Sequence, residues 1–281
     1  MATQNSSLDN LRKGTYTLTV LGCGTMGTAV LAAILNSSFS PYPSKIICCT
    51  GSENSSLKLK QTYPNIEVSF GDSNLEAVAK ADLIILGCKP FMCSQIMESI
   101  KSSLHDQLII SLLAGWTIKN LQTYSPYIAR VMTNTPAKYG CGMAVVSLSD
   151  EAEQFNDLVL KLINPIGKAI KLPEKNMDAA TSLVGSGPAF CLLMMESLID
   201  GGVKMGLPFV AAKECAAKVM EGTAKMVLES GEHPASLKSA VCTPGGTTIG
   251  GLLVMEDKGV RSGIARGVEE AANIASKLGK K

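Results

Sequence analysis

The segment VCTPGGTTIGG, residues 241–251, places a proline, paired glycines and paired threonines between two stretches of helical pattern. A flexible linker has no need of a proline that fixes φ or of adjacent threonines. If a helix begins near Thr248, the N–H groups of Gly246, Thr247 and Thr248 converge at its positive end and could bind an anion such as a carboxylate. The simpler alternative is a Pro-Gly helix start with threonine caps and no ligand.

A second candidate is GCGTMG, residues 22–27, which matches the dinucleotide-binding pattern G-x-G-x-x-G. The motif directly follows a β-rich run over residues 16–21 and precedes an apolar helical pattern. In that context Gly22 would permit a tight turn, Gly24 would admit a pyrophosphate to the backbone, and Gly27 would let helix and sheet pack closely. The alternative is that the glycines serve only a strand-to-helix turn.

The end of the second strand indicates which dinucleotide to expect. NAD-binding sites usually carry Asp or Glu about 20 residues beyond the glycine motif, where it accepts hydrogen bonds from the ribose hydroxyls. Here Thr50, Gly51 and Ser52 occupy that stretch, and the first carboxylate is Glu53. Because hydroxyl and N–H groups suit a 2′-phosphate, the sequence favours NADP(H), and Glu53 keeps NAD(H) possible.

Few side chains offer acid catalysis. Of the two histidines, His105 is expected at the surface and His233 in a turn before proline. Lys89, in LGCKP after a buried strand, lies where α/β sheets bind ligands, although a solvated loop charge is equally consistent with its position. A poor supply of acids fits a protonated imine, which carries its own proton and mainly needs to be positioned beside the nicotinamide. No metal site is predicted.

The order of elements around these motifs indicates the fold class. Strands that alternate with helical patterns over residues 15–172 predict a doubly wound parallel sheet. No convincing strand follows Asn176, and helical stretches are punctuated instead by GSGP, GGVKMGLP, SGEHP and TPGG. The predicted class is therefore α/β, with a dinucleotide-binding Rossmann-type domain over residues 1–173 and an all-α domain over residues 174–281.

Length and composition exclude several classes of function. With 281 residues, a net charge of +2 and 5% aromatic residues, the chain offers no basic face or stacking platform for nucleic acid. Its nine cysteines include no CxxC pair and mostly lie in apolar runs, which predicts reduced, buried thiols. The N-terminal residues resemble no targeting signal, and no apolar run is expected to approach the ~18 residues of a membrane span. We therefore expect a cytoplasmic protein without membrane contact.

Several motifs in a fixed order resemble those of the pyrroline-5-carboxylate reductases, the NAD(P)H-dependent enzymes of the last step of proline biosynthesis, and the likeness is greatest to fungal members. The motifs are LGCGTMG, LGCKP, AGWTI, RVMTNTPA, VGSGPAF, GGVKMGLP and VCTPGGTTI. The resemblance covers residues 16–279. It implies reduction of the cyclic imine 1-pyrroline-5-carboxylate to L-proline.

The resemblance also implies site residues. Thr248 would be the catalytic residue, which hydrogen-bonds the ring nitrogen and relays a proton to water, since an alcohol is too weak an acid to act alone. Residues implied to bind the substrate are Glu174, Gly246, Thr247 and Thr248. Residues implied to bind the cofactor are Leu21, Gly22, Cys23, Gly24, Thr25, Met26, Thr50, Ser52, Asn74, Gly87, Cys88, Lys89, Pro90, Leu113, Ala114 and Gly115.

Two positions depart from the family pattern, and two other functions stay open. Thr243 replaces a serine that often precedes PGG, and Ser239 replaces an aspartate that often follows LK, which puts a cofactor contact from LKSAV in doubt. A β-hydroxyacid dehydrogenase would need a lysine in the helix after the domain boundary, where this chain has none. A binding protein that senses NADP without catalysis is the other alternative.

The helical domain predicts an oligomer. Residues 176–281 contain only two aromatic residues, Phe190 and Phe209, yet their helices are apolar over more than one stripe. A helix with so wide an apolar face must be buried on more than one side. The pattern predicts a homodimer or a larger assembly of dimers. The resemblance implies a site made by one subunit's nucleotide domain and the paired helical domains.

Overall fold

A single eight-stranded sheet forms the centre of the N-terminal part of the chain. The computed structural model describes residues 6–278. Its strands are β1 Thr17–Leu21, β2 Lys45–Thr50, β3 Glu67–Phe70, β4 Leu83–Leu86, β5 Leu108–Ser111, β6 Ile128–Thr133, β7 Gly142–Leu148 and β8 Gly167–Lys171. They are ordered β3-β2-β1-β4-β5-β6-β7-β8 across the sheet.

The sheet is parallel except at one pair of strands. β4, β5 and β6 are buried along their whole length, as expected of parallel strands covered on both faces. β7 runs antiparallel to β6, with Ala129 opposite Leu148 and Thr133 opposite Ala144. The connection between them is a short 3₁₀ turn, which cannot carry the chain back across the sheet. The predicted doubly wound α/β fold is confirmed, and its parallel sheet contains one antiparallel pair that the sequence did not predict.

Alternate residues of the strands divide between two apolar layers. In β4, Leu83 and Ile85 pack in one buried cluster, and Ile84 and Leu86 pack in the other. This division follows from the two-residue period of a strand. Packing in these two layers positions the carboxyl ends of the strands, where the loops that carry the predicted site residues begin.

Helices flank the sheet and build the C-terminal part of the chain. They are α1 Ser7–Lys13, α2 Thr25–Leu35, α3 Glu53–Thr62, α4 Ser73–Ala79, α5 Cys93–Ile100, α6 Ile118–Leu121, α7 Asn156–Ile163, α8 Met177–Ala180, α9 Gly187–Lys204, α10 Phe209–Ser230, α11 Pro234–Ala240, α12 Thr247–Asp257 and α13 Val260–Leu278. The sequence did not predict α1. Ser6 caps it by accepting a hydrogen bond from the Asp9 N–H, and Gly14 ends it at a φ of 73°.

The described residues form two compact units. The sheet unit contains the described residues up to Gly185 together with those from Ala271 onward, and the helical unit is Ser186–Glu270. The units separate later than the predicted boundary because α8 and the π-helical turn after it pack on the sheet. There Met177, Ala180 and Val184 share a buried cluster with Met132 and Val145. Both outer ends of the predicted domains, residues 1–5 and 279–281, lie outside the described residues.

The helical unit buries few side chains. Its apolar cluster consists of Ile199 from α9 with Ala212 and Ala216 from α10. A Cβ added to Gly202 would lie 3.4 Å from the Ala212 Cβ, so a glycine allows this close approach of the two helices. Most other apolar side chains of the unit face outward, including Leu193, which is 64% exposed.

Two sequence predictions need correction. The helical stretch Glu174–Lys204 is long and apolar enough to cross a membrane by length and composition, so the expectation that no apolar run approaches a membrane span is wrong. All nine cysteines are free, but three are buried, three half-buried and three exposed, so the expectation of mostly buried thiols is also wrong. For the helical stretch and for the cysteines alike, the sequence shows that a segment is apolar but does not show whether other residues bury it. Cys191 and Cys215 lie on outward faces of the helical unit.

Candidate active site

A cavity of about 650 Å³ opens at the carboxyl ends of β1, β2 and β4. This edge is where α/β sheets bind ligands, and the volume is in the range of cofactor sites. Nine of the sixteen predicted cofactor residues line it: Leu21, Gly22, Cys23, Gly24, Thr50, Asn74, Gly87, Cys88 and Lys89. The other seven lie outside its lining: Thr25, Met26, Ser52, Pro90, Leu113, Ala114 and Gly115.

The glycine motif has the geometry that a bound dinucleotide requires. Gly22 has a φ of 99°, and a Cβ there would lie 2.6 Å from the Cys88 nitrogen. A Cβ on Gly27 would lie 2.3 Å from the Gly22 carbonyl oxygen. Nothing lies within 4 Å of a Cβ built on Gly24. Gly22 and Gly27 are therefore needed for packing, and Gly24 leaves open backbone at the start of α2, so the motif fits a pyrophosphate.

The polar groups at the end of β2 are largely engaged within the protein. The Thr50 Oγ1 lies 3.0 Å from the Ser52 carbonyl and 3.3 Å from that of Ser69. The Asn74 Nδ2 donates to the Thr50 carbonyl at 3.0 Å. Ser52 is exposed and caps α3 by accepting a hydrogen bond from the Ser55 N–H. Thr50 and Asn74 thus shape this edge, and the hydroxyl of Ser55 lines the cavity beside them.

Two loops meet beyond the ends of β4 and β5. The Trp116 Nε1 donates to the Pro90 carbonyl at 3.0 Å and so joins the loop after β5 to the loop after β4. Leu113 is buried in the sheet unit's core. Ala114 and Gly115 are half-buried, and Gly115 turns the chain with a φ of 79°. These residues are neighbours of the cavity wall rather than part of it.

Glu174, a predicted substrate residue, is engaged with its own unit. Its Oε1 accepts a hydrogen bond from the Ile118 N–H at 2.7 Å, which satisfies the start of α6. The same oxygen lies 3.3 Å from a guanidinium nitrogen of Arg130, and Asp178 lies 3.7 Å from another. Arg130 is buried, and its Nε has no hydrogen-bond partner among the described residues. Glu174 and Asp178 therefore neutralise a buried cation.

The Pro-Gly-Gly-Thr-Thr segment forms a turn that leads into a helix. Gly245 has a φ of 68°, and α12 begins at Thr247 as predicted for this segment to within one residue. The Gly246 N–H donates to the Thr243 carbonyl at 3.0 Å. The prediction that the Gly246 N–H points to a ligand is therefore wrong, because that group closes the turn. The first N–H groups of α12, those of Thr247 and Thr248, have no acceptor within their own helix.

Sequence reasoning missed several residues at this edge of the sheet. Ser55, Asp72 and Met92 line the cavity, Trp116 joins its neighbouring loops, and Arg130 pairs with Glu174. Only Arg130 gave a signal in the sequence, as a lone charge within an apolar strand pattern. Ser55 lies in the first turn of α3, and the others lie in loops or short turns whose direction depends on the fold.

Neither histidine contributes to this cavity, and no metal centre is formed among residues 6–278. The His105 Nε2 lies 2.9 Å from the Ser7 Oγ, and its Nδ1 lies 2.8 Å from the Gln107 Nε2, so it anchors α1 to the sheet unit. The His233 Nδ1 accepts a hydrogen bond from the Ala235 N–H and caps α11. Both imidazoles thus have structural partners.

Comparison with known proteins decides the family. A family model described as pyrroline-5-carboxylate reductase dimerisation matches residues 174–278, and one described as NADP oxidoreductase, coenzyme F420-dependent, matches residues 17–115. The chain is 51% identical to the pyrroline-5-carboxylate reductase of Kluyveromyces lactis, over 95% of this chain and 99% of that protein. The chain belongs to the pyrroline-5-carboxylate reductase family. The pyrroline-5-carboxylate reductase of Schizosaccharomyces pombe is 40% identical, over 93% of this chain and 98% of that protein.

A solved structure agrees with this family. The pyrroline carboxylate reductase of Plasmodium falciparum, with NADP bound, superimposes with a TM-score of 0.81 at 28% identity, over 94% of this chain and 98% of that one. The predicted activity is confirmed: the protein is an NAD(P)H-dependent oxidoreductase that reduces 1-pyrroline-5-carboxylate to proline, the final step of proline biosynthesis. A dehydrogenase of β-hydroxyacids and a non-catalytic NADP sensor are not supported. The dimerisation match indicates that residues 174–278 take part in oligomerisation.

Proposed function

We propose that the protein works as a homodimer or an assembly of dimers, in which NADPH is the preferred cofactor and the start of α12 positions a protonated 1-pyrroline-5-carboxylate. The observation that carries this proposal is the separation of two binding elements. A dinucleotide-sized cavity lies in the sheet unit, and a helix start with free first N–H groups, which would bind an anion, lies in the helical unit. The functional domains correspond to residues 1–173 and 174–281.

The sheet unit would hold the dinucleotide. The open backbone at Gly24 and the first N–H groups of α2 would bind the pyrophosphate. Lys89 and Pro90, with Leu113 to Gly115, would shape the nicotinamide end, although only Lys89 of these lines the cavity. The bound cofactor supplies the hydride. Thr25 and Met26, in the first turn of α2, would support the phosphate-binding backbone.

The preference for NADPH follows from the groups around the end of β2. Ser52 and Ser55 present hydroxyls at the start of α3, whose N–H groups are suited to a 2′-phosphate. Glu53 lies in the first turn of the same helix and does not line the cavity. Asp72, which follows β3, is the carboxylate of the cavity lining and would disfavour a second negative charge. The charge of Asp72 would therefore weaken the preference for NADPH, and the protein would also use NADH.

The helical unit would hold the substrate. The N–H groups of Thr247 and Thr248 would bind the carboxylate at the positive end of α12. The Thr248 hydroxyl would hydrogen-bond the ring nitrogen and fix the face of the imine that receives hydride. A protonated imine is already electrophilic, so this arrangement requires no imidazole. Gly246 would contribute by closing the turn: a Cβ there would lie 2.4 Å from the Thr243 Oγ1.

We assign Glu174 a positioning role. Its carboxylate fixes the N–H of Ile118 at the start of α6 and pairs with the buried guanidinium of Arg130. These contacts join the loop after β5 to the segment that leads into the helical unit. Glu174 would therefore act on the substrate through the position of that loop.

The apolar stretch Glu174–Lys204 supports assembly rather than membrane insertion. It lies within the region that matches the dimerisation model, and its exposed leucines are those that a second chain would cover. With this surface covered, the protein would be cytoplasmic.

A cofactor assay tests the preference. The oxidation of NADPH and NADH is measured side by side with 1-pyrroline-5-carboxylate, for the wild type and for Asp72→Asn. We expect turnover with both cofactors, a higher kcat/KM with NADPH, and a further gain for NADPH in Asp72→Asn. A higher kcat/KM with NADH in the wild type would refute the preference and shift attention to Glu53.

A hybrid experiment tests the shared site. Gly24→Trp blocks the cofactor cavity and Thr248→Val disables the substrate loop, so neither protein alone should turn over normally. The two variants are unfolded and refolded together and then assayed. Recovery of part of the activity is expected if the two elements of a site come from different chains. No recovery, with native mass spectrometry showing mixed oligomers, would place each complete site within one chain.

A further inference from the structure

Two cysteines near the end of β4 belong to the same apolar cluster, and one of them lines the cofactor cavity. Cys88 follows β4, is half-buried and lines the cavity, whereas Cys93 begins α5 and is fully buried. The 3₁₀ turn Pro90–Met92 between them reverses the chain, and both side chains join the same apolar cluster. A thiol at the cavity and an enclosed thiol therefore share one cluster, five residues apart in the chain.

The two thiols differ in their acidity. A hydrogen bond from the Cys93 thiol lowers the pKa of Cys88, although burial opposes this change. The same hydrogen bond, together with burial, raises the pKa of Cys93. The thiolate is the nucleophilic form of cysteine, so Cys88 is the more reactive of the two. A low-pKa, accessible cysteine beside a second thiol is the arrangement found at redox-sensing sites.

We propose that Cys88 and Cys93 form a reversible disulfide site whose oxidant is a peroxide. The Cys88 thiolate attacks one oxygen of hydrogen peroxide, the O–O bond breaks, and hydroxide leaves to become water. The product is a sulfenic acid on Cys88. The Cys93 sulfur then attacks the Cys88 sulfur, so that the S–S bond forms and the S–O bond breaks. A second water leaves with the thiol proton of Cys93, and in total two thiols are oxidised while one peroxide is reduced to two waters.

The packing around Cys88 connects this reaction to cofactor binding. A Cβ on Gly22 would lie 2.6 Å from the Cys88 nitrogen and 2.9 Å from its Cα. A Cβ on Gly87 would lie 2.7 Å from the Gly22 carbonyl oxygen. The backbone at Cys88 is thus packed directly against the glycine motif. A disulfide that moves Cys88 toward Cys93 would displace the motif and weaken dinucleotide binding, and a bound dinucleotide would cover Cys88.

A second cysteine pair lies on the other side of the glycine motif but is less suited to the reaction. Cys48 is fully buried, and a hydrogen bond with Cys23, together with burial, raises the pKa of Cys48. The Cys23 Sγ donates to the Val20 carbonyl at 3.7 Å. A bond between Cys23 and Cys48 is therefore an outcome that would contradict the proposal.

The test uses the intact protein and hydrogen peroxide, with and without NADP. Trypsin does not cleave efficiently before proline, so one peptide carries both Cys88 and Cys93. Mass spectrometry should show this peptide lighter by two hydrogen atoms after oxidation, with restoration by dithiothreitol. The Kd for NADPH should rise roughly tenfold or more on oxidation, and NADP should slow the reaction. The protection by NADP rests on the cofactor site proposed above, whereas the peptide mass does not.

Two variants make the test decisive. In Cys93→Ser the disulfide should be absent, and the loss of NADPH binding should no longer be reversed by dithiothreitol, because Cys88 proceeds to the sulfinic acid. The exposed Cys141→Ser is the matched control and should behave as wild type. If Cys93→Ser does not fold, the wild-type peptide mass still decides. An unchanged peptide after peroxide treatment, or a Cys23–Cys48 bond in its place, would overturn the proposal.

Discussion

The sheet unit and the helical unit treat apolar side chains in opposite ways. Central strands of the sheet unit bury theirs completely: Leu18 and Ile85 are 0% exposed. In the helical unit, Leu193 is 64% exposed and Leu228 is 76% exposed, and only three side chains form the unit's buried cluster. Burial of apolar surface stabilises a fold by about 25 cal/mol per Å². The sheet unit therefore contains the core that stabilises it, whereas the helical unit leaves most of its apolar side chains exposed, as the proposed second chain would require.

The largest effect is expected from a charge placed on the exposed apolar face of the helical unit. In Leu193→Glu, an unpaired charge would be buried between chains, at a cost of about 3–5 kcal/mol. We expect the dissociation constant of the oligomer to rise at least ~100-fold, with loss of activity, as measured by light scattering over a dilution series. The control is Leu57→Glu on α3, because Leu57 is 58% exposed but lies on the sheet unit. An oligomeric, fully active Leu193→Glu protein would show that this face is not an interface.

Removal of one hydroxyl from the helical unit should affect chemistry but not folding. We expect Thr248→Val to lower kcat/KM for 1-pyrroline-5-carboxylate ~10–100-fold, which corresponds to about 1–3 kcal/mol for a lost polar contact. The Kd for NADPH should stay unchanged, because the cofactor cavity lies in the other unit. Thr62→Val, at the exposed end of α3, is the control. An unchanged kcat/KM in Thr248→Val would show that the Thr248 hydroxyl has no role in catalysis and that only backbone N–H groups bind the substrate carboxylate.

A methyl group added to either of two glycines of the glycine motif should distinguish the glycine needed for packing from the one needed for cofactor binding. A Cβ on Gly27 would meet the Gly22 carbonyl oxygen at 2.3 Å, so Gly27→Ala should lower the free energy of unfolding by about 1–3 kcal/mol. Gly24→Ala has open space and should change stability by less than ~1 kcal/mol while weakening NADPH binding. Urea denaturation and NADPH titration measure the two effects. Equal stability losses in both variants would contradict the division of roles within the motif.

The smallest effect is expected from a change in the charged pair between Glu174 and Arg130 in the sheet unit. Glu174→Gln still accepts the Ile118 N–H but loses the charge that faces Arg130, while Asp178 remains. We expect a loss of about 1 kcal/mol in the free energy of unfolding and a few-fold fall in kcat/KM. Glu153→Gln, which removes an exposed pair with Lys171, should cost less than ~0.5 kcal/mol. Equal losses of stability in Glu174→Gln and Glu153→Gln would show that the Glu174–Arg130 pair contributes no more than an exposed ion pair.

Sequence reasoning succeeded where local patterns determine local structure. The glycine motif, its preceding strand and the start of α12 each follow from short-range rules of turn and helix geometry. It failed where a partner comes from a distant part of the chain. The engagement of Glu174 with Arg130 is such a case, because it depends on tertiary packing. Two local features were missed as well: the hydrogen bond from the Gly246 N–H to the Thr243 carbonyl, and the short turn that reverses the direction of β7. The exposure of the helical unit's cysteines could not be predicted either, because an apolar sequence does not reveal which chain covers it.

The return of the residues from Ala271 onward to the sheet unit affects how the protein can be divided and synthesised. The first and the last described residues belong to the same unit, so the helical unit is an internal segment of the described residues. A truncation at residue 173 would remove α8 and the end of α13 together with the helices. Isolation of the nucleotide unit requires excision of residues 186–270 instead. During translation, moreover, the first unit to begin folding is completed only when the last helix has left the ribosome.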